Sequence, residues 1–297
     1  MRDKYRRKNL DLNDENAYYA GEVRDLTRIN DSNVYVRNLF EKRLMGYRNS
    51  LAKIYEITSQ LDFMESRKIL FHAVQVCAQI LDTPHVAVYI SSGNTGFFRL
   101  VAAGSKQARQ MGKSIRYDEN SFMYRALSQK EIYQNRQFDG SCPTFAGAVY
   151  RSESPIVIVM VWMEEIEQVN LYNSNMLAVL CRLLESSVHR AVLYEESIHN
   201  DSYLPGTRIL HEDAFRQVVQ TYEEGRLQGL LEYVLLRVKA DQSQWERIAR
   251  LVRDTDVLGD VHGDIYVLLS NSDKNDAHFV MERFAKNNFH LEEVESL

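Results

Sequence analysis

Apolar residues recur every three to four positions over residues 40–61, a spacing that keeps one stripe on a single helix face through three heptads. The stripe consists of Phe40, Leu44, Tyr47, Leu51, Ile54, Thr58 and Leu61. It predicts a coiled-coil-like helix over residues 33–62 that joins two copies of the chain as a homodimer. A helix packed on its own domain fits the stripe equally well. Residues 1–32 are rich in charge, Asn and Tyr without a sustained period, which predicts a flexible arm.

Residues 63–197 alternate between helical periodicity and short strand-like runs. Helices are predicted at 66–80, 121–129 and 170–200, and strands at 85–91, 97–103, 145–151 and 155–163. Turn residues such as Ser92, Gly93 and Asn94 separate the runs. This order predicts an α+β sensor-type domain. The layout is similar to that of the GAF domain family, although the family offers no short diagnostic motif.

A second domain is predicted after Pro205 and Gly206, because both residues stop the preceding helix. Residues 204–297 alternate helices and strands again, which indicates a second α+β domain. Helices are expected at 212–224, 242–252 and 276–287, a strand at 230–239 and a hairpin at 257–269.

Composition narrows the class of protein. The 297 residues carry a net charge of −5 and no polybasic stretch, so a nucleic acid is not expected as a partner. The cysteines, Cys77, Cys142 and Cys181, are odd in number and widely spaced, which argues against a disulfide framework and favours a reducing cytoplasm. The most apolar run, residues 156–163, is far shorter than the about 20 residues of a membrane-spanning helix and predicts a buried strand. The basic N-terminus lacks an apolar segment behind it, so no signal peptide is predicted.

Residues 253–269 resemble the core of the GGDEF family, the diguanylate cyclases, in which an Arg-x-x-Asp pair precedes a hairpin. Here the pair is Arg253 and Asp256, and the family's pentapeptide becomes His262-Gly263-Asp264-Ile265-Tyr266. Leu204-Pro205-Gly206-Thr207 is similar to the family's opening motif, so the resemblance covers residues 204–297. It implies a shortened GGDEF-like α/β domain.

The departures from that family predict that the cyclase chemistry is lost. A cyclase needs carboxylates at the end of its first core strand and in the hairpin to hold Mg²⁺ against a nucleotide triphosphate. Here Arg237 or a neighbour stands at the first position and Ile265 at the second. The segment between Lys239 and Trp245 is too short for the helix and turn that grip the guanine. We therefore expect no catalytic residue, no metal site and no cofactor.

The resemblance implies that Arg253 and Asp256 form a receptor site for cyclic di-GMP. The chemistry suits this ligand, because an Arg fork donates to guanine O6 and N7 while a carboxylate accepts from N1 and N2. Arg283, on the helix after the hairpin, and Arg250, one turn before Arg253, are expected to add positive charge. The alternatives are a surface ion pair for Arg253 and Asp256 and a solvated helix position for Arg283.

A GAF-like domain followed by a degenerate GGDEF domain resembles the PelD family of cyclic di-GMP receptors. The resemblance implies a catalytically inactive receptor that activates synthesis and export of the biofilm exopolysaccharide Pel by ligand-dependent docking on a glycosyltransferase or membrane synthase subunit. Family members carry membrane helices before the GAF domain, so this chain is expected either at the inner face of the membrane through a partner or as part of a longer protein. The alternatives are a GAF-based small-molecule sensor that acts as an adaptor and a residual diguanylate cyclase.

Overall fold

The computed structural model describes residues 61–117, 121–135, 140, 142–197 and 202–297, together with isolated helical residues between positions 21 and 59. Residues 57–297 form one compact unit. Most of the predicted arm and nearly all of the predicted heptad helix lie outside the described residues. Leu61, the last position of the stripe, is fully buried in the core of the compact unit.

The first part of this unit is an antiparallel sheet flanked by helices on both faces. Its elements are α1 (Ser66–Leu81), β1 (Val86–Ser91), β2 (Phe97–Ala103), β3 (Ser114–Arg116), α2 (Phe122–Ser128), β4 (Tyr133–Gln134), β5 (Phe145–Arg151), β6 (Ser154–Val161) and α3 (Leu171–Ser197). The six strands lie in the order β3-β2-β1-β6-β5-β4. We call this sheet the first sheet.

Strand β6 is continuously apolar because both of its faces are buried. Val157 and Val159 enter the core on the face covered by α1 and α3, whereas Ile158 and Met160 enter the core on the face covered by α2. A strand buried on both faces has no polar alternation. The predicted buried strand at this position is therefore confirmed.

The second part is a five-stranded mixed sheet, here called the second sheet. Its elements are β7 (Ile209–Leu210), α4 (Glu212–Leu227), β8 (Tyr233–Val238), α5 (Trp245–Arg250), β9 (Val257–Val261), β10 (Asp264–Ser270), α6 (Lys274–Ala285) and β11 (Leu291–Val294). The strand order is β11-β8-β10-β9-β7, with β7 parallel to β9 and the other neighbours antiparallel.

The predicted hairpin is confirmed and closes on two residues with positive φ. His262 has φ 55° and Gly263 has φ 87°, a combination typical of the tight turns that match the twist of paired strands. The Asp260 carboxylate accepts a hydrogen bond from the backbone N–H of Gly263 at 2.9 Å. His262 and Gly263 thus form the two-residue turn between β9 and β10.

One hydrophobic core joins the two sheets. The Phe71 ring from α1 meets the Tyr222 ring from α4 edge-on, with centroids 5.3 Å apart, and both side chains are buried. The backbone N–H of Ala103 at the end of β2 donates to the carbonyl of Leu230 at 2.9 Å. The α+β fold is as predicted, and the two sheets share one interior. The predicted domain boundaries at 63–197 and 204–297 stay predictions.

Four short strands were not predicted from the sequence: β3, β4, β7 and β11. Each has two to four residues, too few for alternation to be recognised. They pair at or near the sheet edges. Within the described part of the chain, no helix is both long and apolar enough to cross a bilayer.

Candidate functional site

Asp256 organises the turn between α5 and β9. Its carboxylate accepts the backbone N–H of Arg253 at 3.0 Å and that of Ser270 at 3.2 Å, one on each oxygen. Only 5% of Asp256 is exposed. Burial raises the pKa of Asp256, while the two backbone hydrogen bonds and the charges of Arg253 and Arg283 lower it. The carboxylate therefore closes the turn and ties it to the end of β10.

The position of Asp256 argues against the alternative of a surface ion pair with Arg253. It directly precedes β9, whose first residue, Val257, belongs to the core, so the chain enters the interior at this point. Both carboxylate oxygens are engaged by the backbone, which a surface i,i+3 ion pair would not require. Direct contact between Asp256 and a guanine stays a prediction.

Arg253 and Arg283 come from different elements and lie near the same carboxylate. Arg253 belongs to the turn and Arg283 to the last turn of α6, and the charges of both act on Asp256. Both residues are exposed. Among the residues that the structure describes, neither guanidinium has a hydrogen-bond or ion-pair partner. Two forked cations are thus free to meet an anionic ligand.

Arg250 has a different environment. Its guanidinium forms an ion pair with Glu246, one turn earlier on α5, and its side chain is 75% exposed. A role for Arg250 in binding stays a prediction.

Arg208, which directly precedes β7 and was not predicted from the sequence, stabilises the turn. It donates to Asp254 Oδ1 at 3.1 Å and to the carbonyl oxygen of Arg253 at 2.8 Å. Asp254 is thereby paired with Arg208, and the backbone of Arg253 is held from both sides.

A cleft opens between this turn and the first sheet. A cavity of about 120 Å³ at its base is lined from the first sheet by Ile90, Ser91, Leu100 and Val101, and from the second part by Asp254, Thr255 and Ser270, with Arg67 and Tyr222 beside them. This volume is below the roughly 300–1,000 Å³ of pockets that enclose a small molecule. This cavity alone is therefore too small to enclose a small-molecule ligand.

Arg99 on β2 is the second residue that sequence reasoning missed. Burial lowers the pKa of Arg99, as does the charge of Arg253, whereas the charge of Asp256 raises it. Arg99 therefore lies close to the Arg-x-x-Asp turn, across the boundary between the two sheets. A charged residue within the apolar run FFRLVAA was a signal that could have drawn attention to it.

Arg237 and Ile265, which stand where the sequence resemblance expects the carboxylates of a cyclase, have structural environments. Arg237 on β8 forms an ion pair with Glu292 of β11, the strand that pairs beside it. The Ile265 side chain is completely buried in the core between the second sheet, α5 and α6. In the described part of the chain, no three His, Cys, Asp or Glu side chains come together as metal ligands.

A larger cavity of about 660 Å³ lies between α1, α3 and α4, and it shares Arg67, Leu70 and Ile90 with the smaller cavity at the turn. Its lining combines apolar residues such as Leu70, Val192 and Val218 with the carboxylates of Glu65 and Glu195. Those carboxylates are already engaged, since Glu65 accepts from the Thr221 hydroxyl and Glu195 from Ser66.

Comparisons with known proteins give structural neighbours only. No protein-family model and no curated protein matches the chain. Among solved structures, the GAF domain of an Acinetobacter phosphoenolpyruvate-protein phosphotransferase is 12% identical, covers 48% of this chain and 95% of its own, and has a TM-score of 0.40.

Two further neighbours are C-terminal fragments of PelD from Pseudomonas aeruginosa PAO1. One is 13% identical over 82% of this chain and 89% of its own, with a TM-score of 0.35. The other, solved in complex with c-di-GMP, is 15% identical and covers 80% of this chain and 90% of its own, with a TM-score of 0.32.

Proposed function

We propose that this protein is a receptor for cyclic di-GMP that binds the dinucleotide at the turn formed by Arg253 and Asp256. The observation that carries the proposal is the pair of exposed, unpartnered guanidiniums of Arg253 and Arg283 beside one buried carboxylate, within the residues described. A guanidinium fork can donate to guanine O6 and N7 or to a phosphate. The ligand offers both kinds of acceptor.

The roles of the two sequence-predicted partners differ in this proposal. Arg253 makes the ligand contact, since its side chain is exposed. Asp256 acts mainly as a positioning residue. Its carboxylate accepts the backbone N–H of Arg253 at 3.0 Å, and its negative charge attracts the guanidiniums of Arg253 and Arg283. Arg283 supplies a second contact from α6.

We further propose that the receptor is not an enzyme. A diguanylate cyclase needs carboxylates that hold Mg²⁺, and Arg237 and Ile265 stand where the family resemblance expects them. Placing a carboxylate at Ile265 would bury an unpaired charge in an apolar core. The proposed output is therefore a change in binding to another protein.

In the proposed mechanism, bound cyclic di-GMP favours the arrangement of the receptor that docks on a glycosyltransferase or membrane synthase subunit and so activates synthesis and export of Pel. The dinucleotide can do this only if it binds the docking-competent arrangement more tightly. The partner should then tighten dinucleotide binding by the same factor. Titrations of the ligand with and without the synthase subunit test this reciprocity.

Calorimetric titration of the full chain with cyclic di-GMP tests the receptor itself. Arg253→Ala removes a charge-assisted hydrogen-bonding group worth about 1.5–3 kcal/mol, so binding should weaken at least roughly tenfold. Arg283→Ala should cost less, and its effect should shrink more with added salt if it contacts phosphate. The matched control is Arg125→Ala, which removes the same charge from α2, on the opposite face of the first sheet.

Cyclic di-AMP is the matched control ligand. Adenine presents an amino donor where guanine presents the O6 acceptor, so a guanidinium fork cannot make both hydrogen bonds to it. The receptor should prefer cyclic di-GMP in the parent protein. Equal affinity of parent and Arg253→Ala for cyclic di-GMP would show that the proposed site is wrong.

The 660 Å³ cavity favours a second candidate function, a small-molecule sensor. Its volume lies within the roughly 300–1,000 Å³ of ligand pockets, and apolar side chains from three helices line it. In that case a ligand would stabilise the protein against heat, and Val218→Trp, which fills the cavity, would abolish the effect while leaving cyclic di-GMP binding unchanged. Loss of cyclic di-GMP binding in this variant would contradict two separate sites.

A further inference from the structure

Arg99 lies on the face of the first sheet that packs against the second part of the protein. It pairs with Ile90 on β1 and Ser114 on β3. Its sequence neighbours Phe98 and Leu100 belong to the core on the opposite face, beneath α2. Because strand residues alternate between faces, the Arg99 side chain shares its face with Val101, which packs on the core that joins the two sheets.

Hydrogen bonds hold β2 against the Arg-x-x-Asp turn. The Asn271 side-chain amide donates to the carbonyl oxygens of Leu100 at 2.7 Å and Val101 at 2.9 Å. The preceding residue, Ser270, donates its backbone N–H to Asp256 and its hydroxyl to the carbonyl of Thr255 at 2.7 Å. The last residue of β10 and the residue that follows it thus connect the strand of Arg99 to the turn of Arg253.

Arg99 also has unused hydrogen-bonding capacity. Its Nε is shielded from solvent and has no hydrogen-bond partner among the described residues. Buried donors in folded proteins are usually paired, and a guanidinium carries five N–H donors. Because the Arg99 guanidinium has no hydrogen-bond or ion-pair partner among the described residues, its nitrogens can donate to a ligand acceptor beside the exposed turn.

The charge around the turn is suited to a doubly charged anion. The guanidiniums of Arg99, Arg253 and Arg283 share the neighbourhood of one carboxylate, Asp256, which leaves an excess of two positive charges. Asp254, the other acid of the turn, is already paired with Arg208. A cyclic dinucleotide carries one negative charge on each of its two phosphodiester groups.

We propose that Arg99 binds a phosphodiester group of the dinucleotide held at Arg253 and Arg283, so that the ligand bridges the first and second sheets. This inference rests on the proposed receptor function. In this arrangement, ligand binding acts on the boundary between the two sheets. A cyclic dinucleotide would then tie β2 to the Arg-x-x-Asp turn in addition to the hydrogen bonds of Asn271.

The test is a calorimetric titration of the full chain with cyclic di-GMP, using Arg99→Ala, Arg99→Lys, Arg253→Ala and the control Arg125→Ala. We expect Arg99→Ala to weaken binding about tenfold, the loss of one charge-assisted contact. Arg99→Lys should recover most of the affinity, because an ammonium still binds a phosphate as a point charge. Arg125→Ala should bind like the parent.

Hydrogen exchange followed by mass spectrometry provides the readout for bridging. In the parent, the dinucleotide should slow exchange both in residues 97–103 and in residues 253–256. In Arg99→Ala, saturated with ligand, it should slow exchange only in residues 253–256. Equal melting temperatures of the unliganded parent and Arg99→Lys show that the fold is retained.

The outcomes separate the two proposals. If Arg99→Ala binds as tightly as the parent while Arg253→Ala does not, the bridging role is wrong and the receptor site stands. If Arg253→Ala also binds as tightly as the parent, the proposed function itself is wrong. If Arg99→Lys binds no better than Arg99→Ala, Arg99 does not bind phosphate as a cation, which overturns the inference.

Discussion

Asp256→Asn perturbs the turn at its most buried polar group. The substitution keeps the shape of the side chain but replaces one carboxylate oxygen by an amide NH₂. One of the two backbone N–H groups, that of Arg253 or that of Ser270, then loses its acceptor. Because only 5% of the residue is exposed, water does not replace the lost partner easily.

The expected cost follows from that single lost hydrogen bond. Leaving one buried donor unsatisfied costs about 1–3 kcal/mol. Removing the buried charge offsets a part of this cost, since burial disfavours the charged carboxylate. We expect the free energy of unfolding to fall by about 1–2 kcal/mol, measured by urea denaturation.

Asp254→Asn is the matched control, two positions earlier in the same turn. The Asp254 side chain is 64% exposed and its ion pair with Arg208 lies on the surface. Such pairs contribute about 0–1 kcal/mol. An Asp256→Asn protein as stable as Asp254→Asn would refute the structural role assigned to the buried carboxylate.

The pH dependence gives a second check on Asp256. Burial raises its pKa in the folded protein above the ordinary value of 3.8, so the folded state binds this proton more readily than the unfolded chain. Stability contributed by Asp256 therefore increases as the pH falls through the raised pKa towards 3.8. Since Asn does not titrate, the stability deficit of Asp256→Asn should widen over that window, and a deficit that narrows would contradict the sign.

Three further predictions concern packing, catalysis and assembly. Gly259→Ala should destabilise the protein by about 1–3 kcal/mol or more in urea denaturation, because a Cβ there would lie 2.1 Å from Cγ of the buried Phe215 ring; unchanged stability would contradict this packing. GTP with Mg²⁺ should yield no cyclic di-GMP in a chromatographic assay, and detectable product would restore the cyclase alternative. Leu44→Asp combined with Leu51→Asp should convert the predicted dimer into a monomer, measured as molecular mass by light scattering. An unchanged mass would show that these two positions do not form the dimer contact.

The sequence by itself determined the regular elements whose patterns are long enough to be read. Residues 156–163 predicted a buried strand and residues 257–269 a hairpin, because an apolar run and turn chemistry are properties of neighbouring residues. The strands β7 and β11 escaped prediction, since two to four residues contain no readable period and pair only once the rest of the sheet exists.

Only the tertiary structure decided how the candidate site is arranged. The spacing of Arg253 and Asp256 left a surface ion pair open as an alternative. The entry of β9 into the core instead buries the carboxylate, whose oxygens accept hydrogen bonds from backbone N–H groups. Arg99 lies more than a hundred residues before that turn in the chain, so no local pattern relates the two. They become neighbours because Asn271 and a shared hydrophobic core bring the two sheets together, and long-range packing of this kind is not encoded in the spacing of any single motif.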